Sequence, residues 1–153
     1  MIQSDFTSVV VWWFYLFFIG LLFLPLTRSL FSRFFDRGYI FSKTLGLAII
    51  SYILFLFGTF HILPFQRFSI LAVLLILLIA NIIFYSKNKI KLERKIIYIY
   101  IFQEILFFLS LLLWSYVKSF QPDIHGLEKF MDFGFMISIL RSSYFRPTEM
   151  WFP

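Results

Sequence analysis

The chain has 153 residues, of which 61% are hydrophobic and 14% charged, and 24 are phenylalanine. That is more apolar surface than one small water-soluble globule can hide, so a bilayer must solvate much of it. The formal net charge of +6 then belongs to cytoplasmic loops and not to a nucleic-acid partner, while the absence of cysteine excludes disulfides, thiolate zinc sites and a cysteine nucleophile.

The N-terminal MIQSDFTS carries Asp5 and no basic residue. That is the wrong leading region for a cleavable signal peptide, so the first apolar run is kept as mature structure. Four apolar runs reach membrane-spanning length: Ser8 to Leu26, closed by Pro25; Thr44 to Leu63, closed by Pro64; Phe68 to Tyr85; and Ile96 to Val117. Helix is the secondary structure that satisfies the backbone in lipid, and these runs lack the alternation of a barrel strand. Their many Ile, Val and Phe residues favour strands in water, a preference that the membrane overrides.

Between the first two runs lie Arg28, Arg33, Arg37 and Lys43 against Asp36. Between the third and fourth lie Lys87, Lys89, Lys91, Arg94 and Lys95 against Glu93. The connection between runs two and three offers only His61 and Arg67. The positive-inside rule puts the two basic loops in the cytoplasm, and the N-terminus, the His61 loop and the tail after Val117 outside. Trp12, Trp13, Trp114 and Tyr116 would then anchor the outer interface. The basic loops read first as topology signals, with anionic headgroups as an added ligand. Inside the spans stand Asn81, Gln103 and Glu104. A carboxylate at that depth costs at least about 2.5 kcal/mol. Glu104 is therefore either part of a proton or ion relay, or a hydrogen-bonded group joining helices, with Asn81 as the partner in view.

The tail concentrates the remaining polar groups. Pro122 ends the fourth span, Asp123 suits an N-cap and Gly126 a tight turn, after which Leu127 to Ser142 reads as a helix of four turns. At 100° per residue, His125, Glu128, Lys129 and Asp132 share one narrow arc. The rest of the circumference is apolar, so this helix is too short and too charged to span and should lie at the interface or pack on other membrane helices. Glu128 and Asp132, four residues apart, repel each other, which a metal ion, a bound cation or a substrate hydroxyl would relieve. Neutralisation by Lys129, His125 or Arg141 would make the arc merely a wet face. Beyond it, Arg141, Tyr144, Arg146, Glu149 and Trp151 could clasp a sugar or phosphate group, or anchor the tail at the interface. No dinucleotide fingerprint, phosphate-binding loop, HExxH or GxSxG motif and no internal repeat is present.

The expected fold class is all-α: a polytopic membrane protein of four transmembrane helices plus an extracytoplasmic juxtamembrane amphipathic helix. The four-helix transmembrane region occupies 1–120. The extracytoplasmic helix and loop occupy 121–153 and begin a domain that continues beyond the chain end. The location is the cell membrane, multi-pass, with the N-terminus and the C-terminal tail outside.

The run PDIHGLEKFMDFGFM-x-x-ILRS-x-YF-x-P-x-x-x-W, Pro122 to Trp151, resembles the YYY family of large prokaryotic membrane proteins, a domain of unknown function (2298). The four helices before it match in hydropathy only, and Arg146, Glu149 and Pro153 depart from the family pattern. On this resemblance the chain is an N-terminal fragment, not active alone. The family in turn resembles the GT-C glycosyltransferases, which place an acidic motif in an early outer loop. The resemblance implies sugar transfer from a polyprenyl-phosphate-linked sugar on the extracytoplasmic face. Asp132 would be the general base for the acceptor hydroxyl and Glu128 would assist, or both would hold a divalent cation at the donor phosphate. His125 and Lys129 would contact phosphate oxygens, while Arg141, on the opposite arc, would serve headgroup or structural contacts. The expected partners are membrane lipids and the polyprenyl-phosphate sugar, with no nucleic acid. A non-enzymatic membrane scaffold or assembly subunit is the alternative. A small transporter would require Glu104 to be essential.

Overall fold

The structure, a computed structural model, describes residues 2–88, 94–120 and 127–147, with side chains described over 6–86, 94–120 and 129–147. Among the described residues five helices follow one another: α1 (Ile2–Leu30), α2 (Tyr39–Thr59), α3 (Arg67–Asn88), α4 (Arg94–Ser119) and α5 (Leu127–Arg141). Four of them contain stretches long and apolar enough to cross a membrane: Phe6–Leu30, Tyr39–Thr59, Arg67–Ser86 and Arg94–Ser119. Their surfaces carry exposed Phe, Leu, Ile and Trp side chains, such as Phe102, Leu113 and Trp114, which in water would be a liability and in lipid are ordinary. The chain is an all-α, multi-pass membrane protein.

Two helix ends differ from the sequence reading, for identifiable reasons. α1 runs through Pro25 to Leu30. Proline removes one backbone donor, the one that would reach the Leu21 carbonyl, and the helix continues past it; close by, the Thr27 hydroxyl lies 3.2 Å from the carbonyls of both Phe23 and Leu24. α2 begins at Tyr39, five residues before the expected Thr44, because Asp36 caps it. The Asp36 carboxylate accepts from the N–H of Gly38 at 3.0 Å and of Ile40 at 2.9 Å. The turn before the cap needs a left-handed Gly38, with φ of 82°, where a Cβ would lie 2.6 Å from that of Phe31. α2 then stops at Thr59, and His61 turns with φ of 56°. Lys43 therefore belongs to a helix, not to the loop.

The contacts group the chain into two compact units, residues 1–48 with 77–120, and residues 49–76 with 121–153. In the first, Trp13 of α1 meets Phe108 of α4 at 5.3 Å between ring centroids, and Gly46 of α2 lets Ile19 and Phe23 of α1 come close. Tyr39 and Tyr100 stack at 4.3 Å over Ile96 and Leu24. In the second, residues 142–146 are pinned to the end of α2 and the connection after it. The Phe65 N–H donates to the Ser143 carbonyl at 2.7 Å. Phe145 packs on Phe55 at 4.8 Å and against Gly58, and Tyr144 lies on His61 at 4.7 Å. The His61 connection and the segment after α5 thus meet at one end of this unit.

Candidate functional site

The first unit holds a buried polar cluster. Glu104, 8% exposed in mid-α4, accepts hydrogen bonds at one carboxylate oxygen from the Tyr39 hydroxyl and the Lys43 ammonium, both of α2. Lys43 and Glu104 form an ion pair, and the ammonium also sits 3.9 Å from the centre of the Phe107 ring. The residue before it, Gln103, donates to Asp36 at 3.1 Å. Burial raises the Asp36 carboxyl, but hydrogen bonds from Ile40, Gly38 and Gln103 more than offset it and hold its pKa below the ordinary 3.8. Asn81, the partner expected for Glu104, instead donates to the Leu77 carbonyl of its own helix at 2.9 Å. The joining reading of Glu104 fits this geometry, with α2 as the partner. A lysine read only as a topology signal concealed it.

The second unit contains a cleft of about 710 Å³. One wall is a face of α5 made by Phe130, Phe133, Gly134, Ile137, Ser138 and Arg141, whose spacing of three and four residues keeps them in line. The other wall is the pinned segment, contributing Ser142, Ser143, Tyr144 and Arg146. Among the described residues no acid lines the cleft. Among the described residues no carboxylate pairs with Arg141 or Arg146. The Ser142 N–H contacts the carbonyls of Ser138 and Ile139 at 3.2 Å each, and its hydroxyl donates to Ser138 at 2.8 Å. Two of the last-turn carbonyls, those of Ser138 and Ile139, are thereby occupied.

The residues expected to carry chemistry are only partly brought together. Asp132 is exposed, and it stands nine residues, or half a helix circumference, from Arg141, on the side of α5 away from the cleft. Lys129 is half-buried in the first turn. Glu128 lies in that turn too, with a side chain outside the described residues, and His125, Asp123, Gly126, Glu149 and Trp151 lie outside them altogether. Among the described residues no three His, Asp or Glu side chains converge as metal ligands, so the described donors do not by themselves fit a divalent cation. The cleft gathers Arg141, Tyr144 and Arg146, which sequence alone offered as a clasp or an anchor. The serines between them went unremarked, and the signal available was the spacing of Phe130, Phe133, Ile137 and Arg141 along one face.

With this geometry in view, the chain can be set beside known proteins. The model of a family described as uncharacterized membrane protein (DUF2298) matches residues 49–153. The chain belongs to this family. The match takes in the last part of α2, both helices after it, and the whole of α5 with the cleft. No curated protein and no solved structure matches the chain.

Proposed function

We propose that this DUF2298 protein is a GT-C-like glycosyltransferase that works at the extracytoplasmic membrane surface with a polyprenyl-phosphate sugar, and that α5 is an edge of its active site. The observation that carries the reading is Asp132. It is an exposed carboxylate on a helix whose other exposed side chains among the described residues are the apolar Phe130, Met131, Phe133, Phe135, Met136 and Leu140 and, at its last position, Arg141. A 15-residue helix of this kind settles at the lipid–water boundary, where a lipid-linked head group meets a water-borne acceptor.

There Asp132 takes the proton of the acceptor hydroxyl as its oxygen attacks the anomeric carbon. The bond from that carbon to the phosphate oxygen breaks, and the electron pair leaves with the polyprenyl phosphate. Glu128, one turn before Asp132, assists it, and His125 and Lys129 contact phosphate oxygens. Asp132→Asn in the intact protein should lower transfer by about 100-fold or more, the usual share of a positioned base. Unchanged transfer would remove the assignment.

A non-enzymatic scaffold is favoured by one feature, the exposed Met131 and Phe135 on α5, which a partner helix could cover. It predicts that polar substitutions there abolish association while Asp132→Asn is silent.

A further inference from the structure

The cleft beside α5 is not accounted for by Asp132, which faces away from it. Its lining is sorted by polarity along the helix. Phe130, Phe133 and Ile137 lie towards the start of α5, whereas Arg141, Ser142, Ser143, Tyr144 and Arg146 cluster at its end. Phe130 and Arg141 are eleven residues apart, which is roughly 16 Å along a helix. Two permanent cations thus line one end of a cleft in which no described residue is an acid. Between them stand hydroxyl groups, and an apolar trough leads away from them.

A guanidinium presents paired donors matched to phosphate oxygens, and arginine keeps its charge at any physiological pH. The trough has the chemistry of a hydrocarbon chain. The wall carrying Tyr144 and Arg146 is fixed by the Phe65–Ser143 hydrogen bond and by Phe145 against Phe55, so the donors are held before any ligand arrives.

We infer that this cleft binds a phosphate-bearing lipid, the phosphate between Arg141 and Arg146 and the first part of the hydrocarbon chain along Phe130, Phe133 and Ile137. The inference goes beyond the glycosyltransferase reading: the cleft lies on the face of α5 opposite Asp132, so its lipid is a second ligand and not the donor whose phosphate His125 and Lys129 contact. Binding itself requires nothing of Asp132.

The test uses the full chain in dodecyl maltoside, a detergent without phosphate, and a fluorescent prenyl monophosphate as probe. Competitors are farnesyl phosphate, farnesol and inorganic phosphate. Farnesyl phosphate should displace the probe, and farnesol and inorganic phosphate should each do so at least about tenfold less well. Arg141→Gln and Arg146→Gln should each weaken binding about tenfold or more, as expected for one lost charge-assisted contact. Arg33→Gln, an exposed charge removed elsewhere, should not. Far-UV circular dichroism of each variant establishes that its helices are intact. Should Arg141→Gln lose helicity, Arg146→Gln, at an exposed position beyond α5, decides alone.

Full binding by the two arginine variants overturns the site, and equal potency of farnesol overturns the phosphate. Equal potency of inorganic phosphate overturns the lipid. These outcomes are separable from the Asp132 result, because one assay reads binding and the other transfer.

Discussion

The Lys43–Glu104 pair offers a sharp energetic test of how the spans are joined. The two side chains are 13% and 11% exposed, and one carboxylate oxygen receives both Lys43 and Tyr39. Removing one member of a buried pair leaves the other charged and without compensation, at a cost of about 3–5 kcal/mol. Lys43→Met and Glu104→Leu should each approach that value. The double variant leaves an apolar contact between α2 and α4 and should cost far less than the sum, with a coupling of about 2 kcal/mol or more. The measurement is thermal unfolding in dodecyl maltoside followed by circular dichroism. At roughly 2–4 °C per kcal/mol for a chain of this length, each single variant should lower the midpoint by about 6–20 °C and the double variant by much less. Additive losses in the double variant would refute the pair as a joint between helices.

Other outcomes follow from the same structure. Asp36 has a folded pKa below 3.8, so its contribution to stability is present above that value and is lost as pH falls through the lower folded one. Asp36→Asn should remove that part of the acid-induced fall in unfolding midpoint and cost about 1 kcal/mol at neutral pH through the weakened cap. At Gly46 a Cβ would lie 2.5 Å from Ile19 Cγ2 and 2.8 Å from Phe23 Cδ2, so Gly46→Leu should cost about 1–3 kcal/mol in the same unfolding assay by forcing α1 and α2 apart. The chain has no cysteine, so single cysteines report topology cleanly. An impermeant maleimide added to intact cells should label Ser143→Cys, and should label Ser32→Cys only after permeabilisation. The reverse pattern would invert the proposed orientation.

The four spans were legible because runs of about 20 apolar residues have few other solutions. Their ends were less so. Pro25 looks like a stop, yet α1 runs through it to Leu30, since a single lost backbone donor does not by itself end a helix in lipid. Lys43 looks like loop charge until Asp36 starts α2 early and Glu104 draws the ammonium inward. Asp36 itself counted only as one acid among basic residues, whereas it caps one helix and is tied to another. At α5 the helix and its sparse polar arc were readable from spacing. The cleft was not, because half of it is made by residues 142–146, whose course is set by Phe65, Phe55 and His61, far away in sequence.

Sealed vesicles of both orientations test the central claim most directly, through transfer of sugar from a prenyl-phosphate donor to a membrane-impermeant acceptor. The account predicts transfer by the wild-type protein when the extracytoplasmic face is accessible, and a loss of about 100-fold or more with Asp132→Asn in the same vesicles. Transfer only from the cytoplasmic face, or undiminished transfer by Asp132→Asn, would contradict it.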